Sequence, residues 1–270
     1  MDVQNYWNMR GKESFNYKGE FFYTITPIPY YYRRRDILLN ALSKEIATQI
    51  SNKKSLRIHD FGCGDGWYLN YFHKIYKDFA NIQFSGFDIS ESFIQKAKSI
   101  LSDDISLYCG EIDDAYDNDT SFNLIYSISV FAHISNKDIS NIFNCFMQRL
   151  ASGGRLVLFE QTSGGKNTIE GSTYIRRLAS EYEEIAKRSG FVLTDKFAVD
   201  FTVHRLFERY IAKKLYKHFH GNTQTEQRIS ANKNIFFRLL SNIACMLSFN
   251  PIKRKDKNYW GNTFFVFEKV

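Results

Sequence analysis

Three observations predict an α/β fold, a mostly parallel sheet with helices on its faces. Segments that read as strands alternate with segments that read as helices from residue 56 onward, the pattern of parallel strands joined by helical crossovers. The first strand runs directly into glycines at 62, 64 and 66. Two strand tips carry carboxylates, Asp60 and Asp88.

Hydrophobic residues make up 44% of the chain, enough for one sizeable core, and with three prolines and no Pro, Gly or Ser-rich linker a single domain over 1–270 is expected. The four cysteines (63, 109, 145, 245) form no C-x-x-C pair. They read as reduced thiols of a cytoplasmic protein, without a disulfide frame or a zinc site. The first ten residues lack the apolar core of a signal peptide, and no apolar run reaches the roughly 18 residues of a spanning helix. A soluble protein, at most peripheral at the inner face of a membrane, is expected.

Residues 1–32 are polar and aromatic, and 26–32 read as too proline-interrupted for a helix. Arg33 to Ser51 places Ile37, Leu38, Leu42, Ile46 and Ile50 at helical spacing. Residues 1–54 thus form an N-terminal arm and helix. Leu56 to Phe61 reads as a strand, 62–66 as a turn and Trp67 to Phe79 as a helix. Glycine there permits positive φ and brings backbone N–H groups close to a ligand. A dinucleotide fingerprint needs a third glycine where Trp67 stands, and a phosphate-cradling loop is absent, since Ser163 to Asn167 lacks its first glycine and its hydroxyl.

The second strand is Ile82 to Asp88, with Ser90 as the cap of the next helix. Asp88 offers two acceptor oxygens, which suits the two hydroxyls of a ribose. A third strand covers Ile105 to Cys109 and a fourth Phe122 to Ser127, leading into His133. A helix from about Lys137 to Leu150, a Gly153-Gly154 turn and a fifth strand, Arg155 to Glu160, come next. Thr173 to Ser189 reads as a helix carrying Ile175, Leu178, Tyr182 and Ile185 on one face, Phe191 to Phe201 as a sixth strand and Thr263 to Glu268 as a seventh.

The run Asp60, Gly62, Gly64, Gly66 together with Gly86-Phe87-Asp88-Ile89-Ser90 resembles the first two motifs of the class I S-adenosylmethionine (SAM)-dependent methyltransferases. The resemblance spans roughly 56–202 and 262–269. It implies a Rossmann-like seven-stranded sheet whose last strand is antiparallel, a SAM-binding core of 55–202 and 259–270, and a helical insertion at 203–258. It also implies that SAM, and the product S-adenosylhomocysteine (SAH), are held by Asp60, Gly62, Cys63, Gly64, Gly66, Asp88, Ile89 and Ser127. Glu111 and Ile112 would sit at the adenine and Arg10 would reach in from the arm. Tyr6, Trp7 and the cluster Tyr30 to Arg34 are candidates for a lid. No (D/N)-P-P-(F/Y) motif of base-amino methyltransferases occurs, and the fourth-strand region is similar to the small-molecule branch, which places a histidine where His133 stands. An alcohol acceptor must lose its proton, and an imidazole titrating near pH 6.5 is suited to take it. Glu160 is the second choice of base. No metal ligand spacing is present.

The insertion is basic: 203–258 holds twelve Lys or Arg against three acids, a net of +9, where the whole chain is +7. Arg205, Arg209, Lys213 and Lys217 recur at four-residue steps, while Phe207, Ile211 and Leu215 mark an apolar stripe, and a second helix is expected over Ile235 to Phe249. Such a segment suits an anionic carrier or a membrane surface, and less readily nucleic acid. The expected activity is O-methylation of a sugar or surface-polysaccharide intermediate. An RNA methyltransferase and a non-catalytic SAM-binding scaffold are the alternatives.

Overall fold

The computed structural model describes residues 3–12, 15–17, 20–22, 28–52, 55–79, 81–110, 121–165, 167–170, 174–199, 202–222, 224–247 and 261–270. They fall into two compact units, one of residues 1–13, 42–198 and 254–270, the other of residues 14–41 and 199–253.

The first unit is built on seven strands: β1 (Leu56–Phe61), β2 (Ile82–Asp88), β3 (Ser106–Cys109), β4 (Phe122–Ile128), β5 (Leu150–Thr162), β6 (Phe191–Val199) and β7 (Gly261–Lys269). Their spatial order is 3-2-1-4-5-7-6. Strands β1 to β5 pair parallel, and β7 runs antiparallel to β5. Apolar residues fill both faces of the central strands because helices cover both. One face packs Phe61, Phe87, Leu156, Leu158, Phe265 and Phe267 in a cluster with Phe143, Phe146 and Tyr182. His59 of β1 is part of this buried sheet, its Nδ1 2.8 Å from Ser85 Oγ. Burial lowers its pKa to about 3, so it is a neutral packing residue.

Helices α1 (Val3–Lys12) and α2 (Ile28–Asn52) precede the sheet, and α3 (Trp67–Tyr76), α4 (Glu91–Ile100), α5 (Ile139–Arg149) and α6 (Ala179–Arg188) connect its strands. From Leu42 on, α2 buries Leu42 and Ile46, and its Glu45 accepts from Arg155 of β5 at 2.6 Å. The Lys269 ammonium donates to the carbonyls of Met147 and Leu150, closing the C-terminal end of α5.

Several expectations need correction. The helix expected from Arg33 begins at Ile28 and includes Pro29, because a proline in the first turn removes only an N–H that has no intrahelical partner. The Gly153-Gly154 turn is absorbed into β5: Phe122 pairs with Leu150 but Leu124 with Arg155, and Gly153, at φ +66°, takes up the extra length as a bulge. The helix expected from Thr173 starts only at Ala179. Tyr174–Arg176 instead forms a short antiparallel ladder with Thr168–Glu170, and Arg177 O accepts from Ser163 N at 2.8 Å, which keeps the backbone extended. The helix α1 had no clear periodic signal at all.

The second unit holds α7 (Thr202–Phe207), continued by a π turn (Glu208–Ala212), α8 (Lys213–Leu215) and a 3₁₀ turn (Tyr216–His218), then α9 (Gln224–Lys233) and α10 (Ile235–Met246). The π turn corrects the expected stripes. It adds a residue to the turn, so the buried face carries Phe207, Ala212 and Tyr216, and Ile211 faces outward, half exposed. Arg209, Lys213 and Lys217 are exposed but no longer in one straight row. The side chain of Arg205, and the cluster Lys253 to Lys257, lie outside the described residues.

Candidate functional site

The carboxyl ends of β1, β2, β4 and β5 lie side by side, since Phe61 pairs with Phe87 and with Ser127, and Ser127 with Leu158. Ligands of open α/β sheets sit beyond these ends. The loop after β1 adopts the backbone that its glycines allow, with φ of +78° at Gly62, +55° at Gly64 and +76° at Gly66. A Cβ on Gly62 would come within 2.2 Å of Val130 Cγ2. Gly62→Ala is therefore expected to cost about 1–3 kcal/mol of stability, read as a lower urea midpoint with unchanged slope.

Four of the loop's N–H groups are already committed. Gly62 N and Cys63 N both donate to Phe87 O at 2.8 Å, Gly66 N donates to Cys63 O, and Gly64 N donates to Asp88 Oδ2 at 2.8 Å. A phosphate cradle needs such groups free, and three carboxylates, Asp60, Asp65 and Asp88, surround this one. The site opposes a pyrophosphate and favours a ligand with positive charge.

Asp88 is the centre of that arrangement. Its Oδ1 accepts from Ser90 N and its Oδ2 from Gly64 N, each at 2.8 Å. Each oxygen keeps a second lone pair. Burial pushes its carboxyl up to about 6, against the pull of these two N–H bonds. Asp60 is buried more deeply, and burial raises its carboxyl well above the ordinary range, with the Tyr126 hydroxyl pulling down and Asp88 and Asp65 pushing up. No partner of Asp60 Oδ2 comes within hydrogen-bonding geometry among the described residues. An acid left this way is costly unless a ligand supplies the donor. The ammonium of SAM is such a donor, and the ribose hydroxyls suit the spare lone pairs of Asp88, so the residues present fit the cofactor.

The other expected cofactor residues are distributed as follows. Cys63 is buried in the loop, and its thiol is raised well above its ordinary range by burial. Ile89 accepts at its carbonyl from Gln4 of α1. Ser127 is buried, and its hydroxyl donates to Phe61 O at 2.9 Å, so it braces β1 rather than facing outward. Arg10 lies half-buried on α1. Glu111 and Ile112 lie outside the described residues.

The arm reaches the site through α1. Asn8 Oδ1 accepts from Ser90 Oγ at 2.9 Å, Asn8 O accepts from Ser92 Oγ at 3.0 Å, and the Lys96 ammonium donates to Gly11 O. Gly11 allows the approach, since a Cβ there would meet Ser92 Oγ at 2.3 Å. This docking carries Tyr6 and Trp7 to His133: the Trp7 ring lies edge-on at 4.6 Å between centroids and the Tyr6 ring at 6.4 Å. Tyr174 closes another side at 5.1 Å. Tyr30, from the same predicted lid cluster, instead stacks on His204 within the second unit at 4.5 Å.

His133 stands on a 3₁₀ turn, Phe131–His133, that is held from both sides. Glu160 Oε1 accepts from Val130 N at 2.8 Å and from Phe131 N at 3.0 Å. Arg177, fully buried, donates to Phe131 O and Ile134 O at 2.6 Å each and to Asn136 Oδ1. Glu160 is thus corrected from a second base to a brace of the turn that carries His133. Sequence reading missed Arg177, Asn8 and Ser129. Ser129 sits at φ +59°, uncommon for a non-glycine residue, with its hydroxyl buried and without a partner among the described residues. None of the three has a local sequence signal; their roles come from distant partners.

Among the described residues no cluster of His, Cys, Asp or Glu is placed to hold a metal ion, and no helix is long and apolar enough to cross a membrane.

Residues 58–154 match a family model described as a methyltransferase domain. No curated protein sequence matches the chain. Solved structures do. A Galdieria sulphuraria protein, described provisionally as a sarcosine dimethylglycine methyltransferase, has a TM-score of 0.56 at 15% identity, covering 86% of this chain and 84% of its own. The [4+2]-cyclase SpnF has a TM-score of 0.55 at 18% identity, covering 85% and 80%. Haemonchus contortus phosphoethanolamine N-methyltransferase 2, solved in complex with SAM, has a TM-score of 0.51 at 18% identity, covering 80% of this chain and 49% of its own. At such identities these structures establish the fold alone, and the presence of a cyclase among them leaves the chemistry to the site. The glycine loop and the paired acids Asp60 and Asp88 lie inside the matched segment, so residues 58–154 are those of a SAM-dependent methyltransferase domain.

Proposed function

We propose that this methyltransferase acts on a small molecule and methylates a hydroxyl of a sugar or surface-polysaccharide intermediate. The observation that carries the reading is His133, held at the carboxyl end of β4 and walled by Tyr6, Trp7 and Tyr174. Aromatic faces give a sugar ring a flat apolar platform, and the imidazole beside them is a base for its hydroxyl. Asp60 and Asp88 would hold the ammonium and ribose of SAM, with Glu111 and Ile112 at the adenine. Bound SAM supplies a methyl carbon activated by the sulfonium. His133 would take the proton of the acceptor hydroxyl as that oxygen receives the methyl group, the products being SAH and a methyl ether. The aromatic wall orients the acceptor and keeps water away. A cytoplasmic location belongs to the same reading.

His133→Ala is expected to lower kcat by about 100-fold or more while the affinity for SAH stays within about twofold, since the imidazole lies outside the acids that hold the cofactor. Isothermal titration and initial rates separate the two. To identify the acceptor, labelled methyl from SAM is transferred into an extract of the source cell and the label partitioned. Label in glycan or lipid-linked glycan supports the reading. Label in RNA, or none with SAH binding intact, replaces it with the RNA enzyme or the scaffold.

A further inference from the structure

The helix α10 is apolar nearly all round, yet only Phe237, Ser241, Ala244 and Cys245 face the interior of its unit. Asn234 caps it by accepting from Phe237 N at 3.1 Å, so its rotation is fixed at the first turn. The outward face is left with Ile235, Phe236, Leu239, Leu240, Ile243 and Met246. Phe236 is 73% exposed, Ile235 67% and Met246 61%. On the neighbouring helical run the π turn adds Ile211 to the surface beside Leu206 and Tyr210, each close to half exposed. Single exposed apolar residues need no explanation, but a continuous apolar face does.

The charge of the same segment says what fits that face. Arg209, Lys213, Lys214, Lys217 and Lys233 of the same segment are exposed. Its described acids are engaged internally: Glu208 accepts from the Tyr216 hydroxyl at 2.7 Å, and Glu226 accepts from Asn222 N at 2.6 Å. A second copy of this surface would bring one segment of +9 against another, which like-charge repulsion opposes. Nucleic acid would satisfy the cations and leave the aliphatic face in water. An anionic bilayer satisfies both, with the apolar side chains among the acyl chains and the ammonium groups at the phosphates.

We propose that α10, with the outward residues of the preceding helical run, is an interfacial anchor that docks this protein on an anionic lipid surface. The inference does not depend on which acceptor is methylated, although it would bring the enzyme to a lipid-linked one.

Vesicle flotation of the full chain tests it, with phosphatidylcholine vesicles that contain or lack phosphatidylglycerol. The expected result is flotation with the anionic vesicles only, weakened by salt. Phe236→Glu combined with Leu239→Glu should cut the bound fraction at least about tenfold. Lys213→Glu with Lys214→Glu and Lys217→Glu should cut it comparably. Both variants should keep the thermal stabilisation by SAH of the unsubstituted protein, which shows that they are folded and is read separately from docking. No flotation with anionic vesicles, or equal flotation of the Glu variants, overturns the proposal. So does a wild-type dimer in sedimentation that Phe236→Glu dissociates, because the face would then belong to a second copy.

Discussion

Asp88→Asn is expected to weaken SAH binding by at least about 100-fold, through the loss of two charge-assisted hydrogen bonds worth about 1.5–3 kcal/mol each. Both carboxylate oxygens already accept a backbone N–H, from Ser90 and from Gly64. An amide has only one acceptor oxygen, so its NH₂ must face one of these donors, and the loop loses its register where the ligand's ribose would lie. Ligand at about a hundred times the parent's dissociation constant should stabilise the parent protein by about 2.7 kcal/mol and the variant by about 0.4 kcal/mol or less; NAD should stabilise neither. The pH dependence is a second readout. Asp88 is pushed up to about 6, and the ionised form is the better acceptor, so SAH affinity should fall as pH drops below about 6 and level off above it. Stability of the ligand-free fold runs the other way: the contribution from this raised carboxyl is complete below its ordinary value and is lost as pH rises through about 6. Titration calorimetry and urea unfolding across that range separate the two trends, and Asp88→Asn should flatten both.

The parts of this molecule legible in its sequence are those whose causes are local. β1, its glycine turn and β2 follow from an apolar run, three residues without Cβ and a strand-tip carboxylate, and the structure places them within a residue of the expected bounds. The parts that were not legible depend on partners far along the chain. Helix α1 is polar and aperiodic, and it sits where it does because Asn8 meets Ser90 and Ser92, more than eighty residues away. The π turn at Glu208–Ala212 moves one apolar residue from inside to outside, and no composition rule announces it. Arginine reads as a surface residue, and Arg177 is fully buried because the turn after β4 presents two carbonyls and Asn136 to its guanidinium. His133 is legible as a position of interest from its place after the fourth strand, but the aromatic wall beside it rests on two contacts that no local pattern announces, α1 on α4 and the ladder at Tyr174.

The brace beneath His133 should carry the largest stability effect in the molecule. Arg177→Met keeps much of the aliphatic volume but leaves the carbonyls of Phe131 and Ile134 without their donor and the Glu160 carboxylate without a cation nearby. Removing one partner of a buried ionic network costs about 3–5 kcal/mol, a fall in Tm of about 10 °C for a chain of this size. Glu160→Gln is gentler, because its amide oxygen still accepts from Val130 and Phe131. Placed on Arg177→Met, it should recover part of the loss by removing the stranded charge, a coupling that a double-mutant cycle measures. Burial pushes Glu160 up to about 7, with the Phe131 and Val130 N–H groups and Arg177 all pulling it down. Without Arg177 it must rise further. A carboxyl raised in this way contributes stability below its ordinary value of about 4.5 and loses it as pH climbs through about 7. The penalty of Arg177→Met should therefore be smaller near pH 5.5 than near pH 8, and the difference should vanish in the double variant. Neither residue touches the 62–66 loop, so SAH affinity should survive at temperatures where both proteins are folded, while kcat falls. A kcat loss with SAH affinity kept assigns the pair to positioning His133. Equal losses in both would mean that the brace supports the sheet edge as a whole.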